Sequence, residues 1–205
     1  MDASIPGILT LADWRRTIAE LYASIRAAPD PKVAWQGWCN TRRALFTAHP
    51  QSPVPEADRG GYDGPFVFDY DPAMRVSAEL HPLEGDAVEI GTSDGGTARF
   101  LRFGEAVFEL GGAERSLEAF WLDAYGGGIY LSFRDSTSGS TTYGAGRYLL
   151  DTVKGADLGV DGDRLILDFN FAYQPSCSYD AQWSCPLPPP ANWLDVAVNA
   201  GERLH

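Results

Sequence analysis

The sequence contains few cysteines and no long apolar run. Three cysteines among 205 residues cannot form a disulfide-rich scaffold, and no apolar segment approaches the roughly 20 residues that a membrane-spanning helix requires. The first residues, MDASIPGILTLADWRR, lack the cationic segment, apolar core and small-residue cleavage site of a secretory signal. We therefore expect a cytoplasmic protein without a membrane partner, a compartment in which structural disulfides are rare.

Basic residues are scarce relative to acidic ones. The chain has 16 Lys and Arg against 28 Asp and Glu, a formal net charge of -12. This surplus of negative charge repels phosphate backbones and anionic lipids, which argues against nucleic acid and membrane partners. The apolar fraction of 44% is that of a globular protein, and 205 residues suffice for one well-filled core. We predict a single domain over residues 1–205.

Two helices are predicted in an N-terminal segment of residues 10–47. Thr10, followed three positions later by an aspartate, resembles a capping box that opens a first helix ending near Ala28. Asp30 and Pro31 are residue types preferred at an N-cap and a first helical position. They predict the start of a second helix, which ends before HPQSPVPE.

From Tyr62 onwards, short segments rich in aromatic and β-branched residues alternate with turn signals. The segments predicted as separate strands are FVFDY, RVSAEL, AVEIGT, TARFLRF, AVFEL, SLEAFWLDAY, IYLSFRD, RYLLDTV, DRLILDFN and LDVAVN. About ten strands follow one another without an intervening helix, and parallel strands would need long crossovers. The sequence therefore predicts a mainly β (α+β) fold, an antiparallel β-sandwich or barrel over residues 62–205 on which the two helices pack.

Alternation along two of these strands separates core side chains from polar ones. In GIYLSFRD one alternating set is predicted to form the core: Ile129, Leu131 and Phe133. The opposite set comprises Tyr130, Ser132 and Arg134. In RLILDFNFAY the polar face carries Asp168 and Asn170. Because sequential antiparallel strands are often neighbours, we expect one polar face that combines Arg134, Asp168 and Asn170.

Several segments together resemble one known family. FRDSTSGSTTYGAGRYL, LDFNFAYQPSC, CPLPPPANWL and NAGER, in this order and spacing, resemble the bacterial and archaeal family known as domain of unknown function 1684 (DUF1684). HPQSPVP and FDYDPAMRV fit the same family, so the resemblance extends over about residues 40–203. It implies no established activity. It does imply a shared pattern that includes Arg134, Asp135, Thr137, Thr142, Tyr143, Gly146, Arg147, Asp168, Asn170, Tyr173, Cys177, Cys185, Pro186, Asn192 and Glu202.

The chain departs from that family pattern at two positions. Phe171 and Trp193 stand where the family carries arginine, after Asp-x-Asn and after the Asn of the proline-rich stretch. If those arginines contact a ligand elsewhere in the family, the ligand of this protein is less anionic, or larger and flatter.

The glycine- and serine-rich loop within FRDSTSGSTTYGAGRYL has two interpretations. Its backbone N–H groups, supplemented by Arg134 and Arg147, would form an anion cradle. Alternatively, its hydroxyls satisfy its own backbone, and the arginines pair with Asp135, Asp168 or Glu202. The loop lacks the Gly-Lys-Ser/Thr ending of a nucleotide-binding P-loop.

Cys177 and Cys185 lie eight positions apart and have several interpretations. A zinc site would need His49 or His81 as further ligands, and structural zinc sites use more closely spaced cysteine pairs. A disulfide suits an exported protein, whereas two buried thiols suit the cytoplasm. A nucleophilic Cys177 would need one of the two histidines as its base. No metal or cofactor is predicted.

These patterns predict a protein that binds a small molecule in a polar pocket of the β domain, closed by the loop of residues 177–192. The predicted ligand-binding residues are Arg134, Asp135, Thr137, Tyr143, Arg147, Asp168, Asn170, Tyr173, Cys177, Cys185 and Asn192. A hydrolase or metal-dependent enzyme that uses Cys177 in the same pocket is a second hypothesis. A structural or interaction module, in which the shared residues hold the C-terminal segment, is a third.

Overall fold

The first helix begins earlier than the sequence predicts. The computed structural model describes residues 4–205, in which α1 spans Ile5–Ala27. Its N-cap is Ser4, whose hydroxyl accepts a hydrogen bond from the backbone N–H of Gly7 at 3.1 Å. Thr10 lies inside the helix, and its hydroxyl donates to the Gly7 carbonyl. The expected cap at Thr10 is therefore wrong, because Ser4, two residues before Pro6, already caps the first turn.

The second helix begins and ends as predicted. α2 spans Pro31–Ala48, and the Asp30 carboxylate accepts hydrogen bonds from the backbone N–H groups of the first turn. The indole N–H of Trp38 on α2 lies 3.3 Å from the hydroxyl of Tyr22 on α1. The Trp38 ring also packs edge-on against Phe171, with 5.7 Å between centroids. The helices thus pack on each other and on the C-terminal half of the chain.

The rest of the described chain is mainly antiparallel sheet. Residues 4–205 contain nine strands: β1 Phe66–Val67, β2 Arg75–Gly91, β3 Thr97–Leu110, β4 Ala113–Leu122, β5 Ile129–Phe133, β6 Arg147–Asp151, β7 Val160–Asp161, β8 Arg164–Asp168 and β9 Glu202–Arg203. Seven of them form one sheet in the order β6-β5-β4-β3-β2-β8-β7, and β1 pairs with β9. The prediction of a mainly β fold with N-terminal helices is confirmed. Within residues 4–205, no strand pairing joins the two ends of the large sheet, β6 and β7.

Two long strands replace four predicted short ones. RVSAEL and all of AVEIGT except its final Thr92 belong to β2, and TARFLRF and AVFEL belong to β3. The HP dipeptide between RVSAEL and AVEIGT lies inside β2, where the pairing with β3 shifts register between Pro82 and Asp86. A proline has no N–H to donate to a ladder, and an irregularity of this kind tolerates it within a strand.

The predicted strand LDVAVN is irregular in the structure. The backbone N–H of Val198 donates to the Asp135 carboxylate at 2.7 Å, and the Val198 carbonyl accepts from Arg147 at 2.9 Å. Side chains thus satisfy the backbone of Val198, and backbone hydrogen bonds join Leu194 to Arg134 and Val196 to Ser136, so the segment is held without a regular ladder.

The large sheet has a core on each face. The main core lies beneath the two helices and includes Trp38, Leu131, Phe133, Leu167 and Phe171. A second cluster on the other side contains Ile90, Phe100, Phe120, Tyr130, Tyr148 and Cys185. Tyr130 and Ser132, expected outside the core, are therefore buried. The reason is the C-terminal segment, whose Pro186 carbonyl accepts hydrogen bonds from the hydroxyls of both Tyr130 and Tyr148.

No helix of residues 4–205 has both the length and the apolar character needed to cross a membrane.

Candidate functional site

Arg147 binds the C-terminal segment from the start of β6. Its guanidinium is buried and donates to the carbonyl oxygens of Val198 at 2.9 Å, of Glu202 at 3.2 Å and of Ala200. It also lies 3.4 Å from the Asp135 carboxylate. Burial lowers the pKa of Arg147 to about 10, and the carboxylate of Asp135 opposes this shift. Arg147 therefore acts as a structural strut for the end of the chain.

Asp135 organises the glycine- and serine-rich loop. Its carboxylate accepts hydrogen bonds from the hydroxyls of Thr137 at 2.7 Å and Ser138 at 3.2 Å. The hydroxyl of Thr142 lies 2.8 Å from that of Thr137. The hydroxyls thus bond within the loop, and Arg147 pairs with Asp135, as the second interpretation of this loop expects.

Asp168 and Asn170 form a separate cluster, and their expected association with Arg134 is wrong. Three strands lie between β5 and β8 in the sheet, so the two polar pairs are not neighbours. The Asn170 amide donates to the Asp168 carboxylate and to the carbonyl of Asp71, both at 2.8 Å. Arg75 lies 3.4 Å from Asp168. Burial raises the pKa of Asp168, against the lowering effect of Asn170 and Arg75.

Asn192 and Arg134 hold the proline-rich segment to the sheet. The Asn192 amide exchanges hydrogen bonds with the backbone of Glu118, at 2.8 and 3.0 Å, and donates to the carbonyl of Ser132 at 2.8 Å. The Asn192 side chain therefore bonds to backbone groups of both β4 and β5. The guanidinium of Arg134 lies 4.4 Å from the ring centroid of Trp193, one of the two aromatic departures from the family pattern.

Cys177 and Cys185 are neighbouring free thiols at the second core cluster. The hydroxyl of Tyr143 lies 3.9 Å from the sulfur of Cys177. Hydrogen bonding with the Cys185 thiol lowers the pKa of Cys177 to about 6, with further lowering by Ser93 and Tyr143 and with burial opposing. The same contact and burial raise the pKa of Cys185. Burial and the sulfur of Cys177 raise the pKa of Tyr143 to about 12.

The two histidines considered as partners of Cys177 contact other residues. His49 lies 3.5 Å from Asp13, and His81 lies 3.4 Å from Glu79. Among residues 4–205, no group of three or more His, Cys, Asp or Glu side chains is arranged to hold a metal ion.

A cavity of about 80 Å³ lies between the helices, β6 and the segment that follows Tyr173. We call it the Arg42 cavity. Residues that line it include Tyr22, Arg42, Lys154, Tyr173, Gln174 and Cys185. Two of the predicted ligand-binding residues, Tyr173 and Cys185, therefore reach this cavity.

Arg42 of α2 is the buried cation of the cavity. Its Nε donates to Glu202 at 2.6 Å, and its guanidinium carbon lies 4.6 to 5.0 Å from the ring centroids of Trp38, Phe46 and Tyr173. Its Nη2 is buried and has no hydrogen-bond partner among the described residues. An unpaired buried donor of this kind is uncommon in folded proteins.

The groups that line the Arg42 cavity keep one protonation state near neutral pH. Burial alone would lower the pKa of Arg42, but the Glu202 carboxylate together with Tyr179 and Tyr22 more than offsets this effect, so the pKa is raised. The second carboxylate oxygen of Glu202 accepts from the backbone N–H of Gln174 at 2.8 Å. Burial raises the pKa of Tyr22 to about 12 and raises that of Tyr173 well above its ordinary value, so both phenols remain neutral.

The sequence pattern contained one signal for Arg42 that our predictions did not use. Arg42 lies four residues after Trp38 and four before Phe46, which places a cation inside the apolar stripe of α2. A charged residue in such a stripe is rarely buried without a partner. That partner, Glu202, belongs to the NAGER segment 160 residues away.

Comparisons with known proteins agree with the family resemblance. A family model described as "Protein of unknown function (DUF1684)" matches residues 61–203, more than half of the chain. The NMR solution structure of an uncharacterised protein from Haloarcula marismortui is 37% identical, covers 84% of this chain and 94% of its own, and has a TM-score of 0.60. The search of curated proteins gave no match. The chain therefore belongs to the DUF1684 family.

Proposed function

We propose that the protein binds a small anionic molecule in the Arg42 cavity. The observation that carries this proposal is the Nη2 group of Arg42, which is buried, lies on a cavity-lining side chain and has no partner among the described residues. Leaving a buried donor unpaired costs about 1–3 kcal/mol. A carboxylate or similar oxyanion of the ligand would complete its hydrogen bonding, as guanidinium groups do in many proteins.

Local charge favours an anion even though the chain as a whole is acidic. Arg42 has a paired carboxylate in Glu202, which uses its other oxygen on the backbone of Gln174. Lys154 lines the same cavity, and its ammonium lies 3.1 Å from Asp151. An anion entering the cavity therefore meets two cations whose carboxylate partners are already engaged.

Size restricts the ligand to a compact molecule. The cavity volume of about 80 Å³ exceeds the roughly 10–15 Å³ that one water needs, and it is smaller than the roughly 300–1,000 Å³ of sites for drug-sized ligands. Tyr22, Phe46 and Tyr148 supply aromatic surface on the walls. These properties fit a short-chain carboxylate whose apolar part contacts the rings.

The predicted ligand-binding residues divide into two groups under this proposal. Tyr173 and Cys185 contact the ligand from the cavity wall. The other nine do not line the cavity; Arg147, for example, holds the C-terminal segment that carries Glu202. We also propose a cytoplasmic location, which is supported by the three free cysteines.

The proposal is tested by titrating the protein with acetate, propionate, lactate and succinate, and with chloride as the control, by calorimetry and by native mass spectrometry. We expect at least one carboxylate to bind at a 1:1 ratio. The double variant Arg42→Gln/Glu202→Gln keeps a neutral hydrogen-bonded pair and should abolish binding, and Lys154→Gln should weaken it several-fold. Arg134→Gln changes a guanidinium outside the cavity and should bind as the wild type does.

Two results would overturn the proposal. One is wild-type protein of bare chain mass that binds none of the carboxylates. The other is binding that persists in both cavity variants. Either result would leave Arg42 as a strut for Glu202 and favour the structural-module hypothesis.

A further inference from the structure

Two thiols with different surroundings adjoin one another at the edge of the second core cluster. Cys185 is buried within the cluster. Cys177 packs against the cluster and remains partly exposed to solvent. The proposed binding function makes no use of their reactivity. Peroxides and similar oxidants react with thiolates that are accessible, and a nearby second thiol converts the product into a disulfide.

The backbones of both cysteines are held in place. Cys185 exchanges hydrogen bonds with Ser93: its N–H donates to the Ser93 hydroxyl at 3.0 Å, and its carbonyl accepts from the Ser93 N–H at 2.9 Å. Cys177 lies in a single 3-10 turn, Ser176–Ser178, next to the Tyr143 hydroxyl. Both thiols are thus carried at the second core cluster by fixed segments, and a bond between them would close the loop of residues 177–185.

We propose that Cys177 and Cys185 form a peroxide-reactive dithiol, in which Cys177 is the attacking thiol and Cys185 the resolving thiol. The assignment of roles follows from exposure, because Cys177 is partly open to solvent and to an oxidant whereas Cys185 is buried. Cys39, the remaining cysteine, lies on α2 and serves as an internal comparison.

Thiolate character agrees with this assignment. The pKa of Cys177 is lowered to about 6, so this sulfur is mostly ionised at neutral pH, whereas the pKa of Cys185 is raised. Burial raises the pKa of Cys39 to about 12, so that thiol stays protonated.

The reaction balances in two steps with hydrogen peroxide as the oxidant. The Cys177 thiolate attacks one peroxide oxygen; an S–O bond forms, the O–O bond breaks, and the departing hydroxide takes up a proton to become water. The Cys185 thiol then attacks the Cys177 sulfenic acid; an S–S bond forms, the S–O bond breaks, and the second oxygen leaves as water with the thiol proton. Two thiols are oxidised and one peroxide is reduced to two waters.

The test treats the folded full-length protein with one equivalent of hydrogen peroxide and measures its mass after denaturation without reductant. We expect a loss of about 2 Da, reversed by dithiothreitol, and a proteolytic peptide in which the two cysteines are linked. Cys39→Ser should behave as the wild type. Cys177→Ser should lose no mass, and Cys185→Ser should hold a sulfenic acid at Cys177 that a dimedone probe labels.

Two outcomes would contradict the proposal. A wild-type mass that rises by about 16 or 32 Da, with no linked peptide, would show that Cys177 is oxidised without a resolving thiol. A wild-type mass that does not change under conditions that oxidise free glutathione would show that the pair does not react with peroxide.

Discussion

Arg42 on α2 and Glu202 on β9 form a buried ion pair between residues 160 positions apart, with 2.6 Å between Nε and Oε1. The carboxylate also accepts hydrogen bonds from the backbone of Gln174 and, at 3.4 Å, from the hydroxyl of Tyr179. One side chain thus connects the helical segment, the C-terminal strand and the segment that covers the second core. The Arg42 cavity exists because these three parts meet at this pair.

Removing the carboxylate of this pair should destabilise the protein strongly. Glu202→Ala leaves the Arg42 guanidinium buried without its counter-ion, a change that typically costs about 3–5 kcal/mol. Urea unfolding followed by fluorescence measures the free energy. Glu79→Ala is the matched control, since it breaks an exposed ion pair with Arg164 at 3.2 Å and should cost less than about 1 kcal/mol. Equal effects of the two variants would contradict a central role for Glu202.

Arg147 and Arg134 are predicted to differ sharply, although both flank the same loop. Arg147→Met removes buried hydrogen bonds to the C-terminal segment and leaves Asp135 unpaired, so we expect a loss of about 3–5 kcal/mol. Arg134→Met removes a stacking contact with the half-exposed Trp193 and should cost about 0.5–1 kcal/mol. Hydrogen exchange should show faster exchange at Val198 only in the first variant, and protection there in both would refute the strut role.

Local signals in the sequence predicted local structure well. Asp30 followed by a proline fixed the start of α2 because a cap depends on a few adjacent residues. The tight turn between Asp161 and Arg164 is equally local, because it depends on an adjacent aspartate and glycine. The length of β2 was harder to predict. A proline interrupts a strand where the ladder needs its N–H group, but the register shift after Pro82 lets β2 continue without that hydrogen bond.

Relationships between distant segments account for the features that the sequence did not predict. Arg134 directly follows β5 and Asp168 ends β8, and three strands separate β5 from β8 in the sheet. Tyr130 alternates with core residues and is buried nevertheless, because the C-terminal segment covers its face. Arg42 was missed for the same reason: its partner lies on the last strand.

A rigid turn near the end of the chain should tolerate no side chain. Gly201 has φ 73°, and an added Cβ would lie 2.8 Å from the Phe169 carbonyl oxygen and closer still to that of Ala172. Gly112 has φ 76° with nothing within 4 Å of an added Cβ. Gly112→Ala should therefore cost about 1 kcal/mol from backbone strain, and Gly201→Ala considerably more, by thermal unfolding. A similar cost at both positions would contradict the clash.

Asp168 should contribute less to stability at neutral pH than in acid. Its pKa in the folded protein is raised above the ordinary 3.8, chiefly by burial, so folding favours the protonated form. Its contribution is complete below 3.8 and decreases as the pH rises through the folded pKa. Asp168→Asn imitates the protonated acid and keeps an acceptor for Asn170.

We therefore expect Asp168→Asn to be within about 1 kcal/mol of the wild type, or more stable, at pH 7, with its relative stability falling as the pH drops to about 4. Urea titrations at several pH values measure this difference. A variant that is strongly destabilised at pH 7, and recovers relative to the wild type in acid, would mean that the charged carboxylate is the stabilising form.

The reactivity of Cys177 should depend on pH in a way that distinguishes it from the other two thiols. The thiolate is the nucleophile, and the pKa of Cys177 is lowered to about 6 by its contacts with Cys185, Ser93 and Tyr143. Its alkylation rate by iodoacetamide should rise with pH, reach half its maximum near pH 6 and level off above pH 7. Quantitative peptide mapping between pH 4.5 and 8.5 measures this rate for each cysteine. Cys39, with a pKa raised to about 12, should react slowly throughout. Tyr143→Phe removes one hydrogen bond to the thiolate and should move the midpoint pH of Cys177 alkylation upward. In the wild type, an alkylation rate of Cys177 that still rises tenfold per pH unit at pH 8 would refute an ionised thiol.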